Sequence, residues 1–156
     1  MNRRTHGLIS LMLLDAACWV ALIAAFFDSI AAGIVYIGIV FFSVMLILST
    51  YCARCPCDGE SCGHVLPGRA AGISLSQKPH PYTSRDIAAL TLTILLVIGV
   101  PHLWLFDRPV FLGLFWLLVL VSIIELRANV CPDCLNRYCP FRIGLPAEGY
   151  RPHEKV

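Results

Sequence analysis

Thirteen residues running from Cys52 to His64, Cys-Ala-Arg-Cys-Pro-Cys-Asp-Gly-Glu-Ser-Cys-Gly-His, hold four thiols and an imidazole. A second cluster, Cys131-Pro-Asp-Cys134 followed by Cys139-Pro140, lies nearer the C-terminus. Together the two stretches contain seven of the eight cysteines, and only Cys18 lies elsewhere. A Cys-x2-Cys turn suits one tetrahedral ion, because its two sulfurs converge while the loop amides point at them. Two such turns complete a four-sulfur site. Cys52 with Cys55 makes one pair and Cys131 with Cys134 the other, with Cys57, Cys62, His64 and Cys139 as further donors.

Eight donors would fill one four-Cys site and one three-Cys, one-His site, and a single site with spare thiols fits the same letters. The expected cofactor is zinc, as one or two ions. An iron–sulfur cluster is the alternative. Cys55, Cys131 and Cys139 each precede a proline, as in ferredoxin-type loops, although a full Cys-x2-Cys-x2-Cys run is missing. Thiol–disulfide chemistry comes third, since a reducing cytoplasm disfavours stable disulfides and an odd number of thiols leaves one unpaired.

Each cluster follows directly on a long apolar run. Of the 156 residues, 58% are hydrophobic and only 14% charged, where soluble domains carry about 25% charged residues. Mean hydropathy is +0.74. The apolar residues come in blocks, which is the pattern of membrane spans. The expected fold is therefore an all-α integral membrane protein. Residues 1–50 form a first hairpin, with spans over 8–27 and 30–50, and residues 51–86 a polar, cysteine-rich loop. Residues 87–127 form a second hairpin, with spans over 87–106 and 110–126, and residues 128–156 a cysteine-rich tail. A basic start before an apolar run also fits a signal peptide. The first run is longer than a signal core and no small-x-small cleavage site follows it, so a retained span is expected.

Eleven of the twelve Lys and Arg residues lie on the side of the N-terminus, the 51–86 loop and the C-terminal tail, and Arg108 alone falls in the opposite turn. The positive-inside rule then places both termini and both cysteine clusters in the cytoplasm. Spans two and four end on the same face, so the two clusters can meet across the bundle as one metal module. Expected partners are the lipid bilayer and a cytoplasmic protein or a second copy of the chain. A net charge of +2 with no basic face excludes nucleic acid as the natural partner.

Three features of the apolar runs bear on function. Asp15 is an acid inside the first span, read here as two turns from its start, and it suggests either a local structural role or a proton or ion pathway. Ala17, Ala21 and Ala25 form a small-xxx-small stripe, and Gly33 and Gly38 are expected points of close helix approach. His102, beside Trp104 and just after the helix-breaking Gly99 and Pro101, could meet haem or a quinone headgroup or simply sit at the interface. Cys18 reads as a small buried hydrophobe. Thr83 or Ser84 is expected to cap the third helix, with Asp86 in its first turn.

No nucleotide-binding glycine loop, nucleophile elbow or His-Glu-x-x-His zinc-protease motif is present, which favours a binding role over an enzyme. Four spans with cytoplasmic cysteines superficially resemble the protein acyltransferases that carry zinc-bound cysteine-rich domains, but the Asp-His-His-Cys signature is absent. The outline is also similar to membrane ferredoxin-anchor subunits, whose cluster spacing this chain does not match. No site is carried over from either. The leading expectation is a metal-ordered scaffold or docking subunit, with iron–sulfur electron transfer as the alternative and an Asp15 pathway third.

Overall fold

The structure, a computed structural model, describes residues 2–55, 63, 82–132, 134, 136 and 139. Among those residues the only regular structure is helical, with no strands. Four helices, Arg3–Asp28, Ile30–Arg54, Ser84–Leu105 and Pro109–Val130, are long and apolar enough to cross a membrane. The first is the regular helix α1 (Arg3–Asp28). The second begins as α2 (Ile30–Leu46) and ends in a π-helical turn, Ile47–Tyr51, and a 3-10 turn, Cys52–Arg54. The third is α3 (Ser84–Ile94), a π turn (Leu95–Gly99) and the short α4 (His102–Leu105). The fourth is α5 (Pro109–Glu125), followed by a π turn, Leu126–Val130.

Each helix extends past its apolar run, and the reason is local. Ser29 closes α1 and opens α2: its amide donates to the Ala25 carbonyl at 2.9 Å, and its hydroxyl accepts from the Ala32 amide at 3.1 Å. One residue thus satisfies orphan groups on both helices and holds them as tight neighbours. At α3 the cap is Thr83. Its hydroxyl and amide both donate to Asp86 Oδ2, at 2.6 and 2.7 Å, in a capping box. Gly99 and Pro101 do interrupt the third helix. The π turn ends at Gly99, and Pro101, which has no amide to donate, starts α4 with its carbonyl accepting from Trp104 and Leu105.

The apolar core runs along the inward face of α1. Ala17, Ala21, Ala24 and Ala25 are fully buried with Tyr36, Trp104, Leu105, Phe115 and Val119. The alanine stripe is therefore spent inside the chain, where it lets α1 lie close against its neighbours. Gly33 works the same way, since a side chain there would run into the Phe26 ring. Gly38 does not, because a Cβ at that position faces open space.

Polar groups tie the helices at several depths. Ser10 and Ser122 form a reciprocal clasp, each hydroxyl donating to the other residue's carbonyl, at 3.0 and 2.8 Å. Trp104 Nε1 donates to the Ala21 carbonyl at 3.0 Å, and the Tyr36 hydroxyl to Val97 at 3.1 Å. Val97 lies in a π turn, whose wider ring leaves carbonyls open to outside donors. Replacing both Ser10 and Ser122 with alanine should cost about 1–2 kcal/mol, the range of interhelical bonds between apolar helices. Comparing denaturant midpoints of the two single variants and the double variant checks this, and strong non-additivity is the expected signature.

The turn end of the bundle is closed by Arg108. Its guanidinium donates to the Phe27 carbonyl at 3.1 Å and lies 5.4 Å over the Phe27 ring. It thereby satisfies the exposed C-terminus of α1 with positive charge.

Candidate functional site

Both Cys-x2-Cys pairs are built to one local plan. The Cys52 amide donates five residues back to Ile47, shared with Leu48, and the Cys131 amide five residues back to Leu126, closing a π turn in each case. The second cysteine of each pair then donates to the first: Cys55 N to Cys52 O at 3.1 Å, and Cys134 N to Cys131 O at 3.2 Å. Each knuckle is thus an i→i+3 turn set on the last donor of a π turn. The π turn adds one residue per turn relative to α, which re-aims the pair by about 100° from where a regular helix would point it.

Both knuckles lie at one end of the bundle, and side chains join them. Asn136, 2% exposed, donates from Nδ2 to the Cys55 sulfur at 3.5 Å and to the Tyr82 hydroxyl at 2.8 Å. Tyr82 in turn donates to the Tyr51 carbonyl at 3.3 Å, and its ring stacks on Tyr51 with centroids 4.4 Å apart. The Tyr51 hydroxyl lies 2.8 Å from the Cys139 sulfur. A residue of the second cluster therefore touches a cysteine of the first, and a residue flanking the first touches a cysteine of the second.

Further contacts fix this end. Arg54, inside the first knuckle, pairs with Asp86 at 3.1 Å, so the capping acid of α3 also anchors the knuckle. Gly63, between Cys62 and His64 in sequence, meets the residue that precedes Cys131: a Cβ on Gly63 would lie 2.6 Å from Val130 Cγ1. His6 Nδ1 lies 3.0 Å from Glu125 Oε2, which also accepts from Asn129 at 2.8 Å. Glu125 is thus a bridge between α1 and the fourth long helix.

The electrostatics mark the cysteines as neighbours. Burial pushes the Cys131 thiol up, and Cys139 and Cys134 add to the rise while Arg127 opposes it. Burial likewise raises the Tyr82 hydroxyl well above the usual phenol range, with Cys55, Cys139 and Cys52 contributing and the Asn136 bond opposing. Thiolates gathered at one place repel one another, and a divalent or cluster cation reverses that cost.

Of the eight donors expected from sequence, Cys52, Cys55, Cys131, Cys134 and Cys139 are described, and Cys57, Cys62 and His64 lie outside the described residues. Among the described residues, no three of His, Cys, Asp and Glu converge to hold one ion. What those residues offer is two Cys-x2-Cys turns, an amide donor on the Cys55 sulfur and a hydroxyl beside the Cys139 sulfur. Tyr51, Tyr82 and Asn136 were not among the expected site residues. Their only signal in sequence is position, since Tyr51 adjoins Cys52 and Asn136 lies between Cys134 and Cys139.

The chain matches no family model, and neither curated proteins nor solved structures show a similar one. Its site is read from its own geometry.

Two other expected features take definite places. His102 is engaged at both ring nitrogens: Trp116 Nε1 donates to Nε2 at 3.0 Å, and Nδ1 lies 3.2 Å from the Gly99 carbonyl. Because the indole can only donate, Nε2 accepts and Nδ1 carries the proton. His102 thus bridges Gly99 and Trp116. Asp15 lies on α1, which is longer than its apolar run. The helix starts at Arg3 and not at Leu8, so Asp15 stands twelve residues, about 18 Å, along α1, near its middle.

Proposed function

We propose that this chain is an integral membrane protein whose cytoplasmic face carries a metal module, and that this ordered face docks a soluble cytoplasmic partner. The observation that supports the reading best is the matched construction of the two Cys-x2-Cys turns, laced together by Asn136 on Cys55 and Tyr51 on Cys139. The metal would be held by ligands from both turns, with the remaining donors drawn from Cys57, Cys62 and His64. Zinc in such a site supplies folding energy and no redox chemistry. The module would order polar loops that have no core of their own and staple the inner ends of the helices. The charge distribution of the loops supports the cytoplasmic placement.

An iron–sulfur centre is the second reading. The Asn136 amide donating to the Cys55 sulfur favours it, because hydrogen bonds to sulfur tune cluster potentials. Metal analysis and an absorption spectrum on protein purified anaerobically in mild detergent separate the two. One or two zinc ions per chain with no visible band is the expected result. Iron with acid-labile sulfide and a bleachable visible band would replace the scaffold reading by electron transfer. A metal-free chain would overturn both.

A further inference from the structure

A groove of about 410 Å³ opens on the outer surface between α1 and α2, and none of the knuckle cysteines lines it. Asp15, Cys18 and Trp19 line it from α1, and Tyr36 and Phe41 from α2, with aliphatic residues completing the walls. Trp19 and Phe41 are 57% and 63% exposed, so their rings stand free at the rim. Tyr36 forms a fixed floor, its hydroxyl bonded to Val97 and its ring edge-on to Trp104 at 5.6 Å.

The chemistry of the groove is unbalanced. An exposed carboxylate stands midway along an apolar helix, where an ionised acid is costly and is normally paired. Among the described residues, the groove lining contains no Lys, Arg or His to neutralise Asp15. Around the carboxylate are aromatic faces, which attract cations through their quadrupoles. The volume lies within the range of small-molecule sites. The opening faces outward, toward the lipid tails of a surrounding bilayer, so its ligand must itself dissolve in the membrane.

We infer that the groove between α1 and α2 binds a lipophilic organic cation, with Asp15 as its counter-ion and Trp19 and Phe41 as its aromatic walls. This rests on the membrane part of the proposed function and is independent of the metal. Cys18 and Tyr36 shape the floor and exchange no proton with the ligand.

The test uses tetraphenylphosphonium and tetraphenylborate, ions of one shape and opposite charge, on the full chain in mild detergent. Equilibrium dialysis, corrected for protein-free micelles, measures binding, and tryptophan fluorescence reports on Trp19. The expected result is saturable phosphonium binding at one site per chain and no borate binding. Affinity should fall at least tenfold in Asp15→Asn and survive in Asp15→Glu. Trp19→Leu, with unchanged helical circular dichroism, should weaken binding several-fold, and it serves if Asp15→Asn does not fold. Equal binding of both ions, or undiminished phosphonium binding in Asp15→Asn or in folded Trp19→Leu, would overturn the site. Conversion of a dimer to a monomer by Asp15→Asn, with phosphonium binding unchanged, would overturn it in favour of a second copy in the groove. A chain recovered without detergent in the soluble fraction would instead overturn the membrane reading beneath it.

Discussion

Cys55→Ser and Cys131→Ser should each strip the proposed metal from the purified protein while the four long helices keep their circular dichroism. A structural zinc contributes on the order of 10 kcal/mol to the segment it orders, and that energy depends on every ligand. The helices draw their stability from elsewhere. Their core of Ala17, Tyr36, Trp104, Phe115 and Val119 and the Ser10–Ser122 clasp involve none of the eight expected metal ligands. Asn136→Ala should be milder, weakening metal binding by about 10–100-fold as the loss of an outer-shell partner does. Competition with a chromophoric chelator measures all three variants. Metal retained at wild-type affinity in both cysteine variants would show that the knuckles are not the site.

The same centre should weaken as pH falls. Thiols bind metal as thiolates, so protons compete with the ion. Burial, with Cys139 and Cys134 nearby, raises the Cys131 thiol above its ordinary value, so its proton competes over a wider range than a free cysteine's would. The sign is fixed: affinity rises with pH until the thiols have given up their protons, and it falls on acidification. Chelator titrations at several pH values read this directly.

Ala21→Leu should damage the bundle itself. Ala21 is fully buried, and its carbonyl accepts from Trp104, so a larger side chain must push α1 away from its neighbours and strain that bond. Overpacking of this kind costs about 1–3 kcal/mol. Leu103→Ala is the control. Leu103 is 79% exposed on α4, and its change should stay within about 0.5 kcal/mol. Denaturant or thermal midpoints in one detergent compare them, and an Ala21→Leu midpoint equal to wild type would contradict the packing described for α1. The metal content of Ala21→Leu then separates the two ends of the molecule, because a bundle loosened around Ala21 should still present both knuckles.

The positions of these effects differ in how far they could be foreseen. Long apolar runs are local information, and they suffice to specify four helices, because a buried or lipid-facing backbone must satisfy its own hydrogen bonds. Thr83 with Asp86 is equally local, a capping box written in four consecutive residues. The placement of both cysteine clusters at one end follows from counting, since each comes after an even number of helices. The role of Arg108 was less legible. Its charge was noticed as an exception to the loop bias, whereas its use in capping Phe27 is a contact between residues 81 apart.

By itself, then, the sequence determined the four long helices, the Thr83 cap and the shared end of the two Cys-x2-Cys pairs, because apolar length, capping chemistry and residue spacing act over a few residues. Only the tertiary structure decided which helix faces meet. Asn136 reaches Cys55 across 81 residues and Tyr51 reaches Cys139 across 88, and His102 is spent on Trp116 from the neighbouring helix. Asp15 stands in an outward groove because α1 turns its alanine face inward. Such pairings depend on how helices rotate against one another. That rotation is set by the sum of many weak packing contacts, and no short stretch of sequence records it.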